Sequence, residues 1–537
     1  MNGSPGSAGR WAGAGAMAIL AAASLAIRLT LGVPTLPELF ADPLLYMLPP
    51  TLFSTALDLF HFAAKPILLA ALLLGQVGVG ALLGWLYSEV LAPKGTKSNY
   101  TVTLPVDGEG ILAPQWTGGP EWEPSPVALR PALLLSSIAW LTTILVIFPA
   151  IGAGPFGILL SAGAVLTVAS YFIDATIFGL TLAWIYSRLY PWSRSKPAKE
   201  IPKKLPSRRA MIRQIAAAIA VLLGVNVALE VFESLESNTS FRPPAHLPSP
   251  ITPIDGFYVV AKDFFPVNVD LSHWQLTVLG SGGRSRQYNL DQLQARPSVE
   301  LVTTLTCISN EIGGDLIGTA RWTGVPLADL LREVGVDGRA REVVLSAVDN
   351  YADSIPVELA MASDTILVYA MDGQPLPIAH GFPLRAIIPG RYGIKNVKWL
   401  SRVEVVDHGF VGYWPSRGWT DQAVVQTESQ IDLPADHSNL PLGPIEVGGI
   451  AFAGARGIRM VELSVDNGET WLPTTLDPPL SAYTWTTWHT IWRPASPGWY
   501  TLQVRATDGT GQVQTAVVTP PIPDGATGYH QIHVRVG

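Results

Sequence analysis

Cys307 carries the most distinctive chemistry in this sequence of 537 residues, because it is the one cysteine present. A lone cysteine forms no intramolecular disulfide and no zinc site of several cysteines. Any role must fall to a single soft thiolate, the kind of ligand that suits a transition metal. The residue sits in Thr303-Thr304-Leu305-Thr306-Cys307-Ile308-Ser309-Asn310-Glu311, followed by Ile312-Gly313-Gly314. A strand-like run thus delivers the thiol into a polar, glycine-rich turn. Most free cysteines are small buried hydrophobes, but these neighbours are wrong for a packed core. Further on, His380, Arg385 and Lys398 follow one another at offsets of five and thirteen. Taken alone, the two cations read as solvated strand ends.

The elements that must position these residues lie in the second half of the chain, after a long apolar region. Only 14% of residues are charged and mean hydropathy is +0.30. Soluble domains carry roughly a quarter charged residues, so part of the apolar content is expected to face lipid. The net charge of −7 supplies no basic surface for a phosphate backbone, and no nucleic-acid partner is expected. Residues 12–33, 66–87, 131–150, 156–186 and 211–229 are each long enough to cross a hydrocarbon core of about 30 Å. Five spans are therefore expected, the first reading alternatively as a cleaved signal peptide, within a transmembrane domain of residues 1–235. Residues 37–63, interrupted by Pro43, Pro49 and Pro50, read as an interfacial or re-entrant segment.

The loop before the last span holds Arg188, Arg194, Lys196, Lys199, Lys203, Lys204, Arg208, Arg209 and Arg213 against one acid, Glu200. It is expected on the cytoplasmic side, which carries everything after about residue 235 outward. Its end, Ser207-Arg208-Arg209-Ala210-Met211-Ile212-Arg213, resembles the bacterial twin-arginine export signal, which implies a bacterial cytoplasmic membrane. The membrane part contains one histidine, His61, so paired axial histidines cannot form and no haem is expected in this chain. Asp174, with Tyr171 nearby, is the ionisable group most plainly inside a span. It reads either as a functional group or as one hydrogen-bonded toward the bundle.

Residues 236–256 form a proline-rich tether. Short β-type runs at 274–279, 343–348, 366–369 and 384–388 then alternate with modest helical patterns such as 326–334, the mark of an α+β domain over 257–420. After a loop-rich crossover at 408–445, residues 446–537 read as nearly all strand and turn, with Asp466-Asn467-Gly468 as a turn, and suggest an immunoglobulin-like β-sandwich within a last domain of 421–537.

Two long motifs carry a family resemblance. The first is Leu305 to Leu331, with Cys307-x-x-Asn310 and Ala320-Arg321-Trp322-Thr323-Gly324-Val325. The second is His380-Gly381-Phe382-Pro383-Leu384-Arg385-Ala386-Ile387-Ile388-Pro389-Gly390, followed by Val397-Lys398-Trp399-Leu400. Residues 250–537 resemble the sulfite oxidase family of molybdopterin-dependent oxidoreductases. The resemblance implies an α+β molybdopterin domain, a dimerisation sandwich, and Cys307 as the molybdenum ligand. It also implies that Asp263, Asp349, His380, Arg385, Val397 and Lys398 hold the pterin and its phosphate.

On the substrate side the resemblance implies Lys262, Asn310, Trp419 and Arg456, with departures. Lys262 replaces one arginine of the family's anion clamp, Glu311 another, and Trp419 stands for a tyrosine. A carboxylate where a guanidinium is expected repels a dianion, which makes sulfite a poor substrate and favours a neutral or zwitterionic oxo acceptor. Alternatively, Glu311 turns away to pair with Arg321. The expected function is two-electron oxygen-atom transfer in a membrane-anchored, extracytoplasmic enzyme. Two rivals stay open: a sulfoxide or N-oxide reductase fed by a separate electron-transfer subunit or carrier, and an anchored, non-catalytic binding protein on the same fold.

Overall fold

The computed structural model describes residues 5–47, 64–91, 126–189 apart from 152, 154 and 158–162, and then 247–262, 267 and 269–537. The expected span at 211–229, the arginine pair, His61, Asp263 and most of the tether lie outside the described residues. The described residues fall into two compact units, one helical and before residue 190, the other from residue 247 onward.

The helical unit consists of α1 (Pro5–Leu31), α2 (Leu36–Met47), α3 (Ala64–Leu86), α4 (Pro126–Thr142) and α5 (Gly163–Leu189). Four stretches are long and apolar enough to cross a membrane: Gly6–Leu31, Ile67–Val90, Leu129–Ala150 and Ala164–Leu189. The α1 helix offers small residues to its neighbours. A Cβ at Gly13 would collide with the backbone of Gly80 and Gly84, and one at Gly84 with that of Gly9 and Gly13. Two glycine pairs spaced by four residues thus let two helix backbones touch, which is how helices associate where water supplies no hydrophobic drive.

Asp174 is buried and accepts a 2.7 Å hydrogen bond from Ser24 of α1, while the Tyr171 hydroxyl donates to Pro34 O at 2.7 Å. The acid is therefore turned into the helix bundle. The segment expected to be interfacial or re-entrant begins with a regular helix, α2. Thr35 caps it, with Glu38 Oε2 accepting from the Thr35 amide at 2.6 Å and Arg28 pairing with Glu38 at 2.9 Å. Pro37 falls in the first turn, where no helical N–H bond is lost, and the capping box and ion pair offset Pro43 further in.

In the second unit, one sheet joins β1 (Leu276–Leu279) and β2 (Ser285–Tyr288) to β5 (Glu342–Ala347), β6 (Ala352–Pro356) and β10 (Leu400–Val406), in the order β2-β1-β10-β5-β6. Helix α6 (Leu290–Gln294) follows β2, and α7 (Leu327–Val334) buries Leu327, Leu330, Leu331 and Val334 in the same core as Leu276, Leu345 and Val403. A second sheet holds β3 (Val299–Thr306), β4 (Ile317–Pro326), β7 (Ile366–Met371) and β8 (Gln374–Pro375), with β9 (Arg385–Ile387) paired to β7. Residue 252, at the described end of the tether, hydrogen-bonds to Thr319 of β4.

The last part of the chain forms two further sheets. One contains β11 (Glu428–Leu433), β13 (Ile445–Phe452), β16 (Thr475–Leu476) and β17 (Thr486–Trp492). The other contains β12 (Asn439–Leu440), β14 (Ile458–Ser464), β15 (Leu472–Pro473), β18 (Gly498–Asp508) and β19 (His530–Val536). Val447 and Trp488 of the first share a core with Val461, Val504 and Val534 of the second. The Asp466–Gly468 turn forms as expected, with Asn467 and Gly468 both at positive φ.

Candidate active site

The β3–β4 ladder runs unbroken from Val299 opposite Gly324 to Thr306 opposite Ile317, so Cys307 leaves the sheet at a defined point. Its amide donates to Leu316 O at 2.9 Å, and its carbonyl accepts from the Asn310 amide at 3.0 Å. Asn310 Oδ1 in turn accepts from the Leu316 amide at 3.0 Å and closes the loop. The thiol is buried, with Ser309 Oγ 3.0 Å away. Opposite it stands Gly393, where an added Cβ would lie 3.1 Å from the Tyr258 hydroxyl and 3.9 Å from Cys307 Cα. The missing side chain keeps the space beside the sulfur open.

One cleft brings together Lys262, Cys307, Asp349, Arg385, Val397 and Lys398, with Tyr258, Tyr351, Gly393, Trp399 and Trp414 also along its wall. Six of the residues expected from the sequence thus meet, although they are scattered over more than a hundred positions. Arg385 opens β9, where β7 holds it in register. Its guanidinium lies over the Trp322 ring at 5.3 Å, and Nη1 donates to His380 O at 3.2 Å. Its buried Nε has no acceptor, and among the described residues no carboxylate pairs with it. Burial pulls its pKa down to about 10, which leaves it a cation at neutral pH. An uncompensated buried guanidinium is costly, so the site demands an anion.

Lys398 Nζ donates to Ala379 O at 3.0 Å and lies 4.5 Å from the Trp399 ring centre. Trp399 itself holds a left-handed backbone, φ 51°, unusual strain for a bulky residue and placed on the cleft wall. His380 is buried behind Arg385 rather than on the wall. Burial and the two neighbouring cations, Arg385 and Lys398, pull its pKa down to about 4, so the ring is neutral. Asp349 Oδ1 accepts from the Tyr351 amide at 3.0 Å, and the Tyr351 hydroxyl donates to Ile394 O at 2.6 Å.

Three expected substrate-side residues stand off this wall. Asn310 is occupied in the cysteine loop. Trp419 is buried in an apolar cluster with Ile308, Tyr392, Ile394 and Phe452. Arg456 pairs with Asp508 at 2.8 Å and donates to Val425 O and to Thr427 Oγ1, each at 3.0 Å. Arg321 pairs with Glu300 at 2.6 Å, not with Glu311, whose side chain is exposed. Lys262 does lie on the wall, 5.7 Å from the Tyr413 ring centre.

Sequence reading missed Tyr258, Gly393, Lys395 and Glu428. Gly393 and Lys395 fall in the gap between Gly390 and Val397 of the second motif and were within its reach. Glu428 carries no local signal, since only the fold brings β11 near the cysteine loop.

This donor set fits a molybdenum–pterin group. A single soft sulfur could take a metal, a buried guanidinium with an orphaned Nε could take an anion, and Gly393 adds no side chain to the same cleft wall. Fold and site together define a molybdopterin-dependent oxidoreductase domain. Residues 264–414 match the family model of the oxidoreductase molybdopterin binding domain. The chain is 32% identical to mitochondrial sulfite oxidase of Rattus norvegicus over 351 residues, 55% of this chain and 64% of that one. It is 30% identical to sulfite oxidase of Gallus gallus over 333 residues, 52% of this chain and 72% of that one. It is also 30% identical over 234 residues, 40% of this chain and 87% of the other, to a candidate protein-methionine-sulfoxide reductase subunit, YedZ1, of Azospira oryzae. Among solved structures, the sulfane dehydrogenase SoxCD of Paracoccus pantotrophus aligns with a TM-score of 0.48 at 22% identity, covering 54% of this chain and 82% of that one. The match spans less than two thirds of the length of the mammalian sulfite oxidases. The chain belongs to the sulfite oxidase family of molybdenum-dependent oxidoreductases, whose cofactor is molybdopterin.

Proposed function

We propose that this chain is a membrane-anchored oxidoreductase that removes an oxygen atom from a neutral or zwitterionic oxo acceptor, a sulfoxide or N-oxide, on the extracytoplasmic side of a bacterial membrane. The observation that carries this reading is Arg385, a buried cation without a carboxylate partner, in the same cleft as the single thiol. When bound, the molybdenum–pterin group supplies two-electron oxygen-atom exchange. Cys307 would hold the metal. Arg385, Lys398 and Asp349 would orient the pterin and its phosphate, with Val397 beside it and neutral His380 behind, and Asp263, outside the described residues, would join them.

The substrate class follows from which of the positions expected to clamp an anion line the cleft. Of the positions expected to clamp an anion, Lys262 alone lines the cleft, whereas Arg456 is spent on Asp508 and Glu311 is exposed. A single lysine gives poor purchase on a dianion. The kinship with a protein named as a methionine-sulfoxide reductase subunit favours the same direction and a separate electron-transfer subunit or carrier. The four apolar helices would serve as anchor, followed by the tether, the pterin-binding domain at 257–420 and an immunoglobulin-type sandwich at 421–537 suited to homodimer formation.

Metal analysis of the full chain from a molybdate-supplied host tests this directly. Stoichiometric molybdenum is expected, with sulfoxide or N-oxide reduction exceeding sulfite oxidation. Cys307→Ser should abolish metal and turnover while leaving the chain in the membrane. A Cys307→Ser protein with full activity sinks the metal-ligand role.

A further inference from the structure

Each of the last two sheets makes a contact with the stretch of chain that carries Cys307. Strand β3, which leads into the cysteine, stands at the edge of its sheet, in the order β3-β4-β7-β8, so its outer backbone groups need partners from elsewhere. Residues 481–485, between β16 and β17, supply them. The Thr304 amide donates to Tyr483 O at 3.0 Å, the Trp485 amide donates to Thr304 Oγ1 at 2.9 Å, and Ser481 Oγ donates to Val302 O at 2.6 Å.

The second contact lies beyond the cysteine, at Gly313. This residue has a φ of 75°, and a Cβ on it would lie 2.3 Å from both Cδ2 and Nε2 of His530, the first residue of β19. A Cβ on Gly314 would lie 2.5 Å from Asn310 Oδ1, the acceptor that closes the loop on the Leu316 amide. Two adjacent glycines thus admit His530 from β19 and Asn310 from the loop itself. The imidazole is held in turn. Its Nδ1 accepts from the Ile431 amide of β11 at 3.0 Å, and His530 pairs with Val504 of β18.

We propose that the last two sheets set the position of the Cys307 sulfur, with residues 481–485 fixing the entry to the loop and His530 acting as the positioning residue at its exit. The inference rests on the reading of Cys307 as the metal ligand. A loop bonded only to itself can move as a unit and carry the sulfur with it. Tied to a second body on both sides of the cysteine, it presents the sulfur in one place before any metal arrives, which is how outlying contacts orient a ligand.

The test uses the full-length chain in detergent, and hydrogen exchange on protein from a molybdate-starved host reads the hold apart from the metal. His530→Ala should speed exchange of the bonded loop amides of Cys307, Asn310, Gly314 and Leu316 by about tenfold, with β5 unchanged. Gly313→Ala should speed loop exchange by a larger factor in wild type, where the new methyl meets the imidazole, than in His530→Ala, where only the backbone strain remains. In molybdenum-loaded protein, His530→Ala should keep the metal but shift and broaden the Mo(V) electron paramagnetic resonance signal. His530→Asn, which can still accept from the Ile431 amide, should restore that signal in part. Loop exchange and Mo(V) signal both unchanged in His530→Ala, or equal factors for Gly313→Ala in the two backgrounds, overturn the proposal. A wild-type protein that takes up no molybdenum overturns the parent reading instead, and exchange still reports the hold in that case.

Discussion

Lys395 Nζ lies 2.7 Å from Asp353 Oδ1, with the two side chains 3% and 1% exposed. The same ammonium donates to Ser354 O at 2.9 Å and reaches Asp421 at 3.0 Å. Lys395 belongs to the segment from Gly393 to Val397 that closes over the cysteine, and Asp353 lies on β6 of the neighbouring sheet. The pair therefore clamps the cleft wall to the core. Burial pushes the Asp353 carboxyl upward and the lysine charge opposes it, so each charge is tolerable only because the other is present.

Removing one partner should accordingly cost far more than removing both. Lys395→Met is expected to destabilise the catalytic unit by about 3–5 kcal/mol and to lower molybdenum content. Adding Asp353→Leu should recover most of the stability but not the cleft geometry. Thermal unfolding of the full chain with metal analysis checks both. Equal losses in the single and double variants would show that the pair is not coupled.

Arg385 gives the opposite expectation. Because its buried guanidinium lacks a carboxylate partner, Arg385→Met should melt at a higher temperature than wild type when both come from a molybdate-starved host. From a replete host the order should reverse, since ligand binding stabilises only the protein that can take it up. Identical shifts on loading in both proteins would remove Arg385 from cofactor binding.

Helix contact in the apolar unit rests on glycines that face backbone, and it can be probed against glycines that do not. Gly13→Leu should destabilise that unit by roughly 1–3 kcal/mol or more through overpacking against Gly80 and Gly84. Gly75→Leu, whose new Cβ would meet nothing within 4 Å, should be tolerated. Comparable melting of the two variants in detergent would contradict the close crossing.

Several residues that line the cleft could be grouped from the sequence because they sit in two continuous motifs. Cys307 and Asn310 share one loop, and His380, Arg385, Val397 and Lys398 share another stretch, so local spacing alone grouped them. Hydropathy likewise marked four of the expected spans, since a helix in lipid must be apolar along its whole length. The α2 helix lies in the segment expected to be interfacial or re-entrant, and its Thr35–Glu38 cap rests on residues three apart in the sequence.

The sequence by itself determined the metal chemistry, the apolar helices and the order of elements, all of which depend on residue type and near neighbours. Only the tertiary structure decided which charges remain free. It paired Arg456 with Asp508 and Lys395 with Asp353, and left the buried Arg385 without a carboxylate partner in the cleft that holds the thiol. Compensation of a buried charge depends on what folding carries to within a few ångströms, and residues a hundred positions apart along the chain give no local sign of it.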